Sequence, residues 1–252
     1  MSQAAESVES LCKCTRYCWS DPKAPWVNAS AFVGAEMLKT ITKYSDILNL
    51  SDVLTTIADA DFSNARSTDQ LPTVPDVTVQ YRCGDNIGFS YAYGVLPFTA
   101  IASRIPPNST HIYVISDNPS RAAHNPYSGR CHIILESFFE FLKESNPTSI
   151  IVVKRGGDLY SDYVRMAFSK VLICSASTFC LWPALANVQR GGQIHFPLTA
   201  LIANAVSIEK APKNFGSNFH WINDSEIISD FRKLRPWTQI MDVLTGKMRM
   251  PS

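Results

Sequence analysis

Four places in the chain set polar or glycine residues directly after short apolar runs, and their side chains could hold an anionic ligand. The first is Arg82-Cys83-Gly84-Asp85-Asn86, which follows Val77-Thr78-Val79-Gln80-Tyr81. A guanidinium can grip two phosphate oxygens through parallel hydrogen bonds, and a glycine lets the backbone approach a ligand closely. The competing explanation is an Arg82–Asp85 pair that only stitches the turn. The second place is Ser116-Asp117-Asn118, where Asp117 could accept from a ribose or a base, or could serve as turn chemistry ahead of Pro119. The third, Lys154-Arg155-Gly156-Gly157, adds positive charge or stands solvated. The fourth is Ser175-Ala176-Ser177-Thr178, followed by Phe179. Hydroxyls and free N–H groups at a helix start suit a phosphate or pyrophosphate, although Ser177 could be only an N-cap.

Other chemistries leave no such trace. No GxGxxG, GxxxxGK[ST], HExxH or GxSxG occurs, which argues against dinucleotide, P-loop, zincin and serine-hydrolase sites. Asp59-Ala60-Asp61 has the DxD spacing of metal-dependent sugar transferases, but it follows a helical pattern and reads as surface. The histidines His111, His124, His132, His195 and His220 show no ligand spacing, so the expected site contains no metal.

The elements that must position these groups alternate. Apolar β-branched runs at 77–81, 111–116, 149–154 and 171–174 read as strands, with 193–196 a fifth candidate. The third run, Ser149 to Lys154, is apolar at every second residue on both faces, as in a strand covered by helices on each side. Between the runs lie helical patterns. In Cys131 to Ser145 the residues Ile134, Leu135, Phe138, Phe141 and Leu142 form one stripe. Asp158 opens a helix with Leu159, Tyr163 and Ala167, and a third pattern runs to Asn187 with Pro183 inside it. Such a β-α-β-α order predicts an α/β fold with a doubly wound, mostly parallel, Rossmann-like sheet, and in such sheets ligands bind beyond the carboxyl ends of the strands. Residues 1–62 read as a small helical N-terminal region, 63–75 as a linker, and 76–252 as the Rossmann-like domain with C-terminal helices, one from Ser225 through Ile227, Ile228, Phe231 and Leu234 and one from Pro236-Trp237 through Leu244. Trp221 and Trp237 read as core or as sugar-stacking groups.

Composition limits the partners. With 23 basic and 22 acidic residues there is no basic field for nucleic acid, and no apolar run is long enough to form a membrane segment. Seven cysteines, with Cys12, Cys14 and Cys18 close together, point to an oxidising compartment, and the odd count leaves at least one thiol. Sequons at Asn28, Asn49, Asn108 and Asn223 agree with a glycoprotein. The polar start, Met1 to Glu9, resembles no secretory signal. The expected location is therefore the secretory pathway, in the Golgi lumen, if an anchor precedes this chain, and the cytoplasm otherwise.

The order RxGD at one strand end, SD at the next and SxSTFxxW after a later one (Arg82 to Asp85, Ser116-Asp117, Ser175 to Trp182) resembles the three motifs of the superfamily of α-(1,2)-, α-(1,6)- and protein O-fucosyltransferases. The resemblance spans roughly residues 76–200 and implies the nucleotide-sugar half of a GT-B fold, the C-terminal half of that architecture. It implies an inverting, metal-independent glycosyltransferase that uses GDP-fucose or a related nucleotide sugar as donor, a glycan or glycoprotein as acceptor, and no cofactor. It further implies that Arg82 binds the pyrophosphate and assists its departure, that Asp117 holds the nucleotide, and that Ser175, Ser177, Thr178 and Phe179 line the phosphate and sugar pocket. Asp85 is the candidate base by position, with Gly84, Asn86 and Arg155 as further binding residues. Gln80 stands where the family usually has histidine, and only about 70 residues precede the linker where the family has an acceptor-binding half. A non-catalytic nucleotide-sugar or glycan-binding domain, and a different nucleotide-binding α/β enzyme, are the alternative expectations.

Overall fold

The structure, a computed structural model, describes residues 75–83, 94–116, 128–156, 159–175, 177–198, 217–223, 227–228 and 237–248. The expected N-terminal helices, and the linker up to Val74, lie outside the described residues.

Six strands form one sheet: β1 (Val77–Tyr81), β2 (His111–Ser116), β3 (Ile150–Arg155), β4 (Val171–Cys174), β5 (Gln193–Pro197) and β6 (Phe219–Ile222). Their order is β3-β2-β1-β4-β5-β6, and every pairing is parallel. This is the strand order of doubly wound dinucleotide-binding folds, and the chain is an α/β protein of that Rossmann-like class. Helices α1 (Phe98–Ala102), α2 (Ser128–Ser145), α3 (Leu159–Phe168), α4 (Thr178–Gln189) and α5 (Trp237–Leu244) flank the sheet.

The pleat sorts side chains between two apolar layers. On the first face Val77, Val79 and Tyr81 join Ile112, Val114, Val171 and Ile173 beneath Phe98, Phe138, Leu142 and Leu244. Tyr81 stacks on Phe138 with ring centroids 5.0 Å apart and donates its hydroxyl to Leu96 O at 3.2 Å. Burial drives that phenol's pKa upward, so it stays a neutral donor. On the second face Ile115, Leu172, Cys174, Ile194 and Phe196 pack with Met166, Leu181 and Ala184 of α3 and α4. β1 is buried at all five positions because it is flanked by strands on both edges and by helices on both faces.

β3 departs from its expected cover. It is an edge strand whose first face, Ile151 and Val153, packs on the core, while Ile150 and Val152 on the second face are 59% and 41% exposed. On that face α3 packs over β1 and against α4 rather than above β3. Two further departures concern the C-terminal part. β6 is a four-residue strand containing Trp221, which packs half-buried against the second-face core. Ile227 and Ile228 are not in a helix; Ile228 pairs antiparallel with Val95 through two backbone hydrogen bonds of 2.9 Å. α5 runs as expected and ends before Gly246, whose φ of +79° stops it.

The amino ends of the strands are gathered by one carboxylate. Asp76 Oδ1 pairs with Lys170 Nζ at 2.6 Å, and Oδ2 accepts from Thr110 N at 2.8 Å, Thr110 Oγ1 at 2.7 Å and His111 N at 3.2 Å. The Lys170 ammonium, helped by the Thr110 and His111 donors, holds this carboxyl well below the usual carboxylate range despite partial burial. A folded-state pKa below the unfolded one contributes stability that is full above the unfolded value and fades as pH falls. Asp76→Asn should therefore cost about 1–2 kcal/mol at pH 7, a figure already reduced for the exposure of Lys170, and distinctly less at pH 3. Urea unfolding at the two pH values checks this, and an equal cost at both would contradict it.

Candidate functional site

A sheet ordered this way reverses direction between β1 and β4. From β1 the chain moves outward to β2 and β3, then crosses back to β4 on the other side. The two sets of crossover helices cover opposite faces, and the carboxyl ends of β1 and β4 are where sheets of this order place a ligand crevice. Arg82 and Ser175 follow those two ends directly.

Serines hold this rim together. Ser175 N donates to Gln80 O at 2.8 Å, which carries the β1–β4 pairing one residue past β4. Arg82 N then donates to Ser175 Oγ at 2.9 Å. On the other side Ser116 Oγ donates to Tyr81 O at 2.7 Å and ties the end of β2 to that of β1. Ser175 and Ser116 are both buried. Ser177, extended at φ −150° and ψ 131°, is the N-cap of α4 and accepts from Phe179 N at 3.3 Å. The capping explanation of Ser177 is thus realised, and α4 starts two residues beyond Ser175.

Two disulfides tether helix starts to the same rim. Cys83 bonds Cys131 in the first turns of α2, with Cα atoms 5.4 Å apart, and Cys174 at the end of β4 bonds Cys180 in α4, with Cα atoms 5.8 Å apart. All four cysteines are fully buried. The first bond lies on the first face of the sheet and the second on the opposite face, so the rim is fastened from both sides.

The expected site residues divide by position. Arg82, Ser175 and Ser177 come together at the switch point. Phe179 is half-buried and packs on the second-face core, so its ring braces α4. Thr178 is the first residue of α4. Arg155 ends β3 in register with Ser116, two strands from β1. Its Nε and Nη2 are buried without a hydrogen-bond partner. Gly84, Asp85, Asn86 and Asp117 lie outside the described residues. Gln80 joins the group although its own chemistry did not single it out: it is 5% exposed at the end of β1, and its Oε1 is buried without a partner. The sequence signal was the motif resemblance, in which Gln80 stands where the family usually has histidine.

Away from the rim, the strand register brings together two histidines that are far apart in sequence. His195 of β5 stacks on His220 of β6 with centroids 5.3 Å apart, and Gln193 Nε2 lies 3.1 Å from His195 Nε2. Burial, with the charge of Arg104 and the neighbouring His220, pushes His195 down to about 4, so its ring is neutral near pH 7. Among the described residues no three His, Cys, Asp or Glu side chains converge as a metal site would require, and no helix is long and apolar enough to cross a membrane.

The closed loops differ in length, with sequence separations of 48 and 6 residues. Chain entropy alone assigns about 4 kcal/mol to the longer and about 2 kcal/mol to the shorter. Cys83→Ala/Cys131→Ala should therefore lower the unfolding midpoint more than Cys174→Ala/Cys180→Ala in denaturant titrations; the reverse order would contradict this. No family model matches the chain, and no curated protein matches it by sequence.

Proposed function

We propose that the rim is the nucleotide-sugar site of a glycosyltransferase, one that transfers fucose or a related sugar from a GDP-sugar by a metal-independent inverting mechanism. One observation carries the reading: Arg82 and Ser175, the residues at the heart of the motif resemblance, are hydrogen-bonded to each other at the switch point of a 3-2-1-4-5-6 sheet. That crevice is where sheets of this order take nucleotides. The order of the motifs, RxGD, SD and SxSTFxxW, adds support, as does their position at the ends of β1, β2 and β4.

In this reading the diphosphate lies across the ends of β1 and β4. The N–H groups that open α4 face its negative charge, and the Arg82 guanidinium stabilises the charge that grows on the leaving diphosphate as the sugar bond breaks. The internal bonds of Ser175 and Ser177 assign them to holding the backbone in place, so that no reorganisation is needed when charge develops. Asp85 is the proposed base for the acceptor hydroxyl, and Asp117 the proposed nucleotide contact. The acceptor is a glycan or glycoprotein. Two buried disulfides support an oxidising lumen such as the Golgi as the place of work.

A panel of GDP, UDP, ADP and NAD in thermal-shift assays, followed by GDP-fucose turnover with glycan acceptors, tests the reading. GDP should raise the melting temperature, and Arg82→Ala should lose about 3 kcal/mol of transition-state stabilisation, roughly a hundredfold in kcat/KM. Full activity in Arg82→Ala refutes the mechanism. GDP binding without turnover leaves a binding module, and a response to another nucleotide alone reassigns the site to a different enzyme.

A further inference from the structure

Arg155 carries the least satisfied polar group at the carboxyl end of the sheet. It follows Lys154 at the end of β3, and the alternation that sends Ile151 and Val153 into the first-face core puts Arg155 on that same face. Its Nε and Nη2 are buried, and neither has a hydrogen-bond partner. These two N–H donors are not an arbitrary pair. They lie side by side along one edge of the guanidinium, the edge that meets two adjacent acceptors in a bidentate bond. A guanidinium edge that is buried and unfilled has lost its water without gaining a partner, a costly arrangement that a ligand edge would complete.

The position limits what that ligand edge can be. β3 stands two strands from β1, so the fork is roughly 10 Å from the switch point along the rim. A diphosphate seated at Arg82 is too short to reach it, whereas the base of a nucleoside extending over β2 is not. Among bases, guanine offers N7 and O6 as neighbouring acceptors, the arrangement an arginine fork fits best. Adenine puts a donor, N6, beside its N7. Uracil separates its two carbonyl acceptors by N3–H. We infer that Arg155 is the base-reading residue of the rim: its Nε–H and Nη2–H bind guanine O6 and N7 and select guanine over adenine and uracil. This rests on the proposed nucleotide site and adds to it a residue that sets nucleotide specificity.

The test is isothermal titration of the full chain with GDP, IDP, 7-deaza-GDP, ADP, UDP and CDP, with Arg155→Lys and Arg155→Ala as variants. IDP keeps both acceptors and should bind like GDP. 7-Deaza-GDP replaces N7 by carbon and should bind about tenfold more weakly to the wild type. Arg155→Lys keeps the charge but not the fork, and should lose about tenfold for GDP, with no further loss on passing to 7-deaza-GDP. ADP and UDP should already bind weakly to the wild type and change little in the variants. The wild-type comparison of GDP with 7-deaza-GDP needs no variant to fold. Because the two donors make no internal bond, the ligand-free melting temperature of Arg155→Lys should not fall below that of the wild type. Equal affinity for GDP and 7-deaza-GDP, or a preference for GDP retained in Arg155→Lys, overturns the assignment of Arg155 while leaving the nucleotide site intact. Tight CDP binding lost with Arg155 shows that the fork reads cytosine N3 and O2 instead, and overturns the guanine assignment. No binding of any nucleotide overturns the site and, with it, the inference.

Discussion

The seam between β1 and β4 is the constraint on which the rest of the structure depends. Parallel strands place all carboxyl ends on one rim, and only at this seam do the crossovers depart to opposite faces. A strand end is also a backbone with groups to pair. The chain resolves this with its own small side chains: Ser175 N pairs with Gln80 O, and Ser175 Oγ takes the N–H of Arg82. Both partners of the first bond are main chain, so the spacing of the seam is set by the sheet and the direction of Arg82 by one hydroxyl. A longer side chain at 175 would fill the crevice that the topology opens, and an apolar one would leave the Arg82 N–H without its acceptor.

The two ends of the sheet are secured by different chemistry. At the amino ends one carboxylate, Asp76, gathers donors from the start of β2 and from the turn before β4, a charge-assisted arrangement that needs no access. At the carboxyl ends covalent bonds take over: Cys83–Cys131 fastens the turn after β1 to α2, and Cys174–Cys180 fastens the end of β4 to α4. A salt-bridged clamp at the rim would place fixed charges at the strand ends. Disulfides hold the same turns without adding charge.

The parts legible in sequence are those whose signal is local. Strands β1, β2 and β4 are β-branched runs ended by polar turns, and α2 shows its stripe in Ile134, Leu135, Phe138 and Leu142. Once the alternation of strand and helix is recognised, parallel topology and a common rim follow from the handedness of crossovers. What escapes is set by long-range packing. β3 has the composition of a doubly covered strand, yet whether a helix lies over Ile150 and Val152 depends on where α3 lands, and α3 lands on β1. Phe219–Ile222 is too short and too aromatic to be told from a core segment. Ile227 and Ile228 sit at helical spacing with Phe231 but pair with Val95, more than a hundred residues earlier. Cysteine partners are likewise invisible in spacing, since Cys83 finds Cys131 only when α2 folds back along the sheet.

Unsatisfied buried groups occur both in the scaffold and near the carboxyl ends of the strands. Folding pairs nearly every buried polar atom, because each unpaired one costs about 1–3 kcal/mol. Between α3 and α4, Asn187 shows what scaffold satisfaction looks like: its amide nitrogen donates to Met166 O at 2.8 Å and to Ser169 O at 2.7 Å, with only its carbonyl left over. At the carboxyl ends of β1 and β3 two further groups are left over, the amide oxygen of Gln80 and the Nε–Nη2 edge of the Arg155 guanidinium. By the strand alternation Gln80, between Val79 and Tyr81, lies on the second face, whereas Arg155, in step with Ile151 and Val153, lies on the first, so the two belong to different surfaces. Each gives up stability on its own face, of the order that one unpaired buried donor or acceptor costs.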